Sequence, residues 1–346
     1  MKDSYGRTID YMRISITDRC NLRCRYCMPE GILPMPMSAL LTFEELTRVC
    51  EQAAKLGIRK IKITGGEPLV RRGAPQLLGM LSSVPGIEEV TLTTNGVLLE
   101  KFLPDLVKNG LRNVNISLDT MDRKKYREIT GMDAFTTVLH GMEAAVKEGL
   151  KVKMNTVLMK EYNQQEWKTL VEYTRNHPVD VRFIELMPIG TGNQFQGVSN
   201  QWVKKMLEKE YPALEKEETP RGNGPATYYH IPGFCGCIGL ISALHGKFCT
   251  HCNRIRMSAQ GEIKPCLCYK STVDLREIIR DPHMTEKEQN LKISTVLARA
   301  IAEKPQAHCF ENPEEITEGK KNVLHRGMTA AVSTLKRKRQ RMKKWE

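Results

Sequence analysis

Six short β-rich runs alternate with helical stretches through the first half of the chain, and this alternation limits the fold more than any other feature. The runs span 10–17, 59–64, 88–94, 112–119, 151–159 and 180–187. Between them lie FEELTRVCEQAAKLG, APQLLGMLSSV, LLEKFLPDLVKNG, FTTVLHGMEAAVKEG and QQEWKTLVEYTRN. Each places apolar residues at helical spacing, and several end in Gly or Asn, as helix C-termini do. Strand–helix units in series build a parallel sheet with right-handed crossovers. Six units are too few to close an eight-stranded barrel. The expected fold is therefore α/β, an open and partial (β/α)6 TIM-like barrel, with ligands at the ends of its strands.

Those ends carry the unusual residues. The first run leads into Cys20, Cys24 and Cys27, the second into TGGEP (64–68) and the third into TTNG (93–96). The fourth ends in SLD (117–119), the fifth carries KMN (153–155), and the sixth ends in ELMP (185–188). One shared rim is expected. Past residue 190 the chain becomes rich in Gly, Asn and turn residues, then brings a second cysteine group, Cys249, Cys252 and Cys266, and a predicted helix at 285–303. This divides the chain into a barrel core at 1–190, a smaller capping module at 191–325 and a flexible basic tail at 326–346.

Composition removes several function classes. No apolar run is long enough to span a bilayer, and MKDSYGRTIDYMR has no signal-peptide core, so a cytoplasmic protein without membrane partners is expected. In that compartment eleven cysteines point to metal or cluster ligation instead of disulfides. Cys50, Cys235, Cys237, Cys268 and Cys309, outside the two trios, read as small buried hydrophobes. The net charge of +13 owes seven of its cations to residues 336–344. That run reads as a solvated terminus, and the moderately basic remainder suits an anionic small molecule better than nucleic acid.

Thiolates at short spacing favour zinc or iron–sulfur. Three ligands on a four-iron cluster leave one iron open to a chelating molecule. Zinc with a distant fourth ligand suits the spacing of the first trio equally well, and the second could be a zinc knuckle completed by His251 or Cys268. Spacing alone leaves both open. Arg254 and Arg256 alternate beside Cys252, so an extended strand would point both to one side.

The C-x3-C-x2-C motif, with Tyr26 before its last cysteine and a following strand that ends in GGEP, resembles the radical S-adenosylmethionine superfamily. FCTHCNRIRMSAQGEIKPCLC, with GPA, IGLI and RFIELMP, resembles more narrowly the GTP 3′,8-cyclase family of molybdenum-cofactor biosynthesis. The likeness runs from about Tyr5 to Thr317. It implies two [4Fe-4S] clusters, one on Cys20, Cys24 and Cys27, the other on Cys249, Cys252 and Cys266 with an open iron for the guanine base. S-adenosylmethionine would contact Tyr26, Gly66, Ser117 and Met187, with Glu67 accepting from its ammonium. GTP would contact Arg13, Lys62, Thr93, Lys153, Arg254, Ile255 and Arg256, and Arg13 would matter most to turnover.

The implied reaction begins with a 5′-deoxyadenosyl radical taking the hydrogen at C3′ of GTP. The ribose radical then attacks C8 to give 3′,8-cyclo-7,8-dihydro-GTP. An electron donor and the next enzyme of the molybdopterin pathway follow as partners, and a homodimer is left open. The two trios are expected to face one another across the barrel mouth. Lys62 stands where the family often has Arg, which keeps the charge but loses the two-pronged fork. The family ordinarily closes on a Gly-Gly pair reaching into the active site, whereas this chain ends KKWE. Rival readings are another radical enzyme with an auxiliary cluster, such as a peptide maturase, and a zinc-stapled RNA-binding protein.

Overall fold

The computed structural model describes residues 1–31, 35–269 and 273–310. The basic run and the chain end therefore lie outside the described residues. Each of the six runs forms a strand, and each intervening stretch forms a helix. In chain order these are β1 (Tyr11–Ser15), α1 (Phe43–Lys55), β2 (Lys60–Thr64), α2 (Ala74–Ser82), β3 (Glu89–Thr94) and α3 (Leu99–Lys108). They continue with β4 (Asn113–Ser117), α4 (Arg123–Thr130), α5 (Phe135–Lys147), β5 (Lys151–Val157), α6 (Trp167–Asn176) and β6 (Val179–Ile184).

Local chemistry fixes the helix ends. Thr42 and Glu45 close a capping box on α1: the Thr42 Oγ1 accepts from the Glu45 N–H at 3.2 Å, and the Thr42 N–H donates to Glu45 Oε2 at 2.7 Å. Helix α4 was not foreseen. Its residues, RKKYREIT, are too polar to show an apolar stripe, and its ends are set by the Asp122 side chain and by Gly131 at φ 73°.

The later half of the chain enters the same sheet at both edges. After α7 (Asn200–Glu210) come β7 (Glu215–Lys216), β8 (Thr227–His230) and β9 (Ile238–Ile241), then β10 (Arg254–Met257), β11 (Glu262–Lys264) and β12 (Val273–Asp274). Helices α8 (Leu275–Ile279) and α9 (Glu286–Ala302) follow, the second matching the helix expected at 285–303. The order across the sheet is β12-β11-β10-β1-β2-β3-β4-β5-β6-β9-β8-β7. Strand β10 runs parallel to β1, and β9 runs parallel to β6, so an open row of eight parallel strands forms, flanked by antiparallel ones. Among the described residues, no helix is long and apolar enough to cross a membrane.

Parallel strands in most α/β proteins are apolar on both faces. Here they are not. Met12 and Ile14, Ile61 and Ile63, Val114 and Ile116, Val152 and Met154, and Val181 and Phe183 form one face, all buried in the main core. The alternate residues, Arg13, Lys62, Thr93, Asn115, Lys153 and Arg182, form the other. The helices cover only the apolar face, each buried side chain contributing about 1.5–3 kcal/mol, and the sheet is left with a polar interior.

This two-faced pattern has a direct test on β2. Ile61→Ala should cost about 2–5 kcal/mol in a urea titration, because it opens a hole in the core. Lys62→Met, one residue on, should stabilise the ligand-free protein, because burial beside other cations holds the Lys62 ammonium well below its usual pKa. Equal destabilisation by both changes would contradict the assignment of faces.

Candidate active site

The polar face curls into a channel. Arg182 on β6 lies four strands from β2, yet its charge acts on Lys62 and on Arg13 of β1. Only a curved sheet brings them that close. Arg13 stands in register with Lys62 on one side and Arg256 on the other. Thr93 pairs with Asn115, and Asn115 with Lys153. Arg182 is 9% exposed and donates from Nη2 to Asn115 Oδ1 at 2.6 Å, reaching past β5. The Asn115 amide in turn donates to Thr93 Oγ1 at 3.2 Å. Arg13, Lys62, Lys153, Arg182, Arg254 and Arg256 thus converge from five strands.

Their electrostatics are strained. Burial first, and neighbouring arginines second, pull Arg256 down to about 9 and Lys153 down to about 8; Arg13 is also lowered, by burial foremost. Acids give little relief. Asp180 is 4.0 Å from Lys153 but is engaged by Arg221 at 2.8 Å, and Glu89 accepts from Asn113 and Asn223. Lys153 also donates to the Arg221 carbonyl and to Tyr228 Oη at 3.2 Å. Among the described residues, the Nε atoms of Arg13 and Arg182 are buried without a partner. Buried donors of that kind call for an acceptor, and the surrounding charge calls for an anion.

Ile255 differs from its neighbours. Strand alternation turns its side chain to the opposite face, where it is fully buried in the main core. Its side chain is therefore not offered to the channel, contrary to the expectation for 254–256 as a block.

The first trio follows β1. Cys20, Cys24 and Cys27 are free thiols close enough to feel one another's charge, and burial raises all three, Cys27 to about 11. Cys20 Sγ accepts from the Leu22 N–H at 3.4 Å and the Asn95 amide at 3.8 Å, the kind of contact that a metal-bound thiolate uses. Tyr26 donates from its hydroxyl to Asp119 Oδ2 at 2.7 Å. Burial pushes Asp119 up to about 6, against the pull of the Val157 N–H and Tyr26. Ser117 sits two residues before it, in register with Asn155, whose Oδ1 is buried and unpartnered. Thr191 reaches from the segment after Met187 to the Cys27 carbonyl at 3.1 Å. The cysteine loop, Ser117 and Met187 therefore share one rim.

One expectation for GGEP needs correction. Its glycines allow a close approach of the protein's own backbone. A Cβ on Gly66 would lie 2.3 Å from the Arg19 carbonyl oxygen, and one on Gly65 would lie 2.8 Å from that of Thr17. The loop is thus locked against the cysteine segment. Glu67, 1% exposed, is no free acceptor for an ammonium: it takes hydrogen bonds from Leu69 N–H (3.0 Å), Thr94 Oγ1 (2.8 Å) and Asn95 N–H (2.6 Å). It pins the GGEP loop to the end of β3.

The second trio lies elsewhere than expected. Cys249 and Cys252 precede β10, which is parallel to β1, and the Tyr11 N–H donates to the Asn253 carbonyl at 3.2 Å. They therefore stand where the parallel strands begin, while Cys20–Cys27 stand where these finish. A five-residue strand separates the two ends by roughly 13 Å. The trios do not face each other across one mouth; they bracket the channel, with Arg13, Arg254 and Arg256 between. Cys249 responds to the charges of Cys266 and Cys252. Against burial, Arg254 and Lys304 hold the Cys252 thiol below its ordinary value, and a hydrogen bond from Cys268 draws Cys266 down. His251 is exposed and faces Thr250 Oγ1 at 2.9 Å, whereas Cys268 is fully buried beside Cys266. Among the described residues no three His, Cys, Asp or Glu side chains close around one ion-sized point, so each trio is judged by donor type and placement. All-thiol donors with N–H and cationic neighbours fit an iron–sulfur group.

Reasoning on the sequence passed over Arg182, Asn115 and Asp119. Arg182 and Asp119 stood inside quoted motifs, RFIELMP and SLD, and Asn115 is polar at an inward position of a strand; period-two alternation was the signal available for Asn115 and Arg182.

Comparison with known proteins agrees with this geometry. Residues 14–174 match the profile of the Radical SAM superfamily, and 179–310 match that of Molybdenum Cofactor Synthesis C. A GTP 3′,8-cyclase from Clostridium perfringens (strain SM101 / Type A) is 43% identical over 91% of this chain and 96% of its own length. One from Alkaliphilus oremlandii (strain OhILAs) is 42% identical over 89% of this chain and 94% of its own. Among solved structures, Streptococcus suis SuiB bound to S-adenosylmethionine shares the fold, with TM-score 0.54 at 16% identity over 80% of this chain and 62% of its own. Superfamily membership carries with it S-adenosylmethionine and an iron–sulfur cluster. By its sequence over most of its length, and by a partial barrel with three thiols at the end of the first strand, the chain belongs to the GTP 3′,8-cyclase family of the radical S-adenosylmethionine superfamily.

Proposed function

We propose that this protein converts GTP to (8S)-3′,8-cyclo-7,8-dihydroguanosine 5′-triphosphate, the first step of molybdenum cofactor biosynthesis. The observation that carries this is the cation-lined channel with a thiol trio at each end. Cys20, Cys24 and Cys27 would hold one [4Fe-4S] cluster, and Cys249, Cys252 and Cys266 a second. When bound, the first cluster supplies the electron that cleaves S-adenosylmethionine and yields the radical that takes the C3′ hydrogen.

The chain's own residues do the rest by placement. Tyr26, tied to Asp119, and Gly66, Ser117 and Met187 line the rim where S-adenosylmethionine would lie. Arg13, Lys62, Lys153, Arg254 and Arg256, with Arg182, offer a triphosphate the charge that replaces its water. Thr93, bonded to Asn115, offers a hydroxyl on the same wall. With guanine held at the second trio, the ribose would fall between the two ends, next to the site of radical formation. Fixing reactants in that order and excluding water accounts for much of the barrier lowering. An electron donor and the enzyme that consumes the cyclised nucleotide complete the set of partners; a homodimer is compatible with this reading.

Anaerobic protein with both clusters rebuilt should form 5′-deoxyadenosine and the cyclised nucleotide with GTP. Formation of 5′-deoxyadenosine only with a peptide would overturn the reading in favour of a maturase. Arg13→Ala should lower turnover by about 10²–10³-fold, the usual loss for one preorganised cationic donor, with the iron content unchanged.

The channel also makes a prediction about pH. Lys153 is depressed to about 8 by burial and then by Arg182. Between about 8 and the ordinary lysine value, the unfolded chain holds the extra proton, so ligand-free stability should rise with pH. Denaturant midpoints across that window should show the rise, and Lys153→Met should reduce it, leaving the part that Lys62 and Arg256 contribute.

A further inference from the structure

The geometry points to Lys304 as the resident counter-cation of the second thiol trio. The assignment rests on the two-cluster reading above. Lys304 is 2% exposed, lying just after α9, and its ammonium donates to the Pro265 carbonyl at 2.6 Å. That carbonyl belongs to the peptide leading into Cys266, and the charges of Cys252 and Cys266 both act on the ammonium.

A buried ammonium needs an anion, and a single carbonyl does not supply one. Burial disfavours its charge, and among the described residues the groups that favour it most are the sulfurs of Cys252 and Cys266. The charge of Arg7 opposes it. The charge of Arg254 acts on Cys252 as well. Arg7, itself 8% exposed and paired with Asp3 at 2.5 Å, donates to the carbonyls of Cys249 (2.7 Å), Pro305 (2.7 Å) and Gln306 (2.9 Å). The N-terminal segment thereby clamps the Lys304 segment against the loop of the trio. A pocket built this way fits a net-negative group held by thiolates.

Two consequences follow for an iron–sulfur group there. An N–H donor and a positive charge beside ligand sulfur favour the reduced, more negative state, which raises the reduction potential. The same interaction holds the group in place. Lys304 is thus a positioning and tuning residue: it acts on the second site through Cys252 and Cys266, without touching GTP.

The test uses the full chain, anaerobically reconstituted, in a background of Cys20→Ala, Cys24→Ala and Cys27→Ala so that only the second site contributes. Lys304→Gln keeps a donor for the Pro265 carbonyl and removes the charge; Lys304→Arg keeps the charge. In redox titrations followed by electron paramagnetic resonance, Lys304→Gln should shift the midpoint to more negative potential and lose iron several-fold faster to a chelator. Lys304→Arg should return both readouts towards the parent values. An unchanged midpoint in iron-replete Lys304→Gln would overturn the assignment, as would a Lys304→Arg protein that melts normally but behaves like Lys304→Gln. If the parent background itself binds zinc or no iron, the two-cluster reading fails, and the assignment falls with it.

Discussion

Repulsion among buried cations keeps the inner face of this sheet from becoming a core. A closed eight-stranded barrel fills its interior with branched apolar side chains. Here the inward positions of β1, β2, β5, β6 and β10 carry Arg13, Lys62, Lys153, Arg182, Arg254 and Arg256, and burial, then the neighbouring cations, disfavour the charge on Arg13, Lys62, Lys153 and Arg256. Such groups cannot collapse on each other. The helices on the outer face hold the sheet together, and the interior is left as space shaped for an anion.

The loops at the rim are built to stay still. Gly66 packs within contact distance of the cysteine segment, Glu67 is held by the Leu69 N–H and by the end of β3, and Tyr26 is tied to Asp119. Three separate strands are thereby joined to one short loop. Radical chemistry needs such fixity, since a reactive carbon placed an ångström away finds the wrong hydrogen.

Much of this was legible in the sequence. All six core strands and five helices announced themselves by periodicity, because their apolar faces are real and buried. Helix α4 was silent since it is nearly all polar, and its cap residues are its only signature. The two cysteine trios were visible from spacing, but their placement at opposite ends was not: that depends on β10 pairing in parallel with β1, and nothing local to either strand records it. Glu67 shows the same limit. A carboxylate in a conspicuous loop looks available until its three donors, one of them from a residue 28 positions away, are seen together.

The pairing of β1 with β10 also has a temporal side. Residues 11–15 leave the ribosome with one hydrogen-bonding edge waiting for a partner some 240 residues downstream. Until that partner arrives, the nascent chain presents a bare strand edge of the sort that invites wrong pairings. The half-made protein already owns the first set of thiols but has no closed wall beside it. Order of synthesis therefore leaves that edge unpaired for as long as the ribosome-bound intermediate lacks β10, and shielding it becomes a task for the cell as much as for the fold.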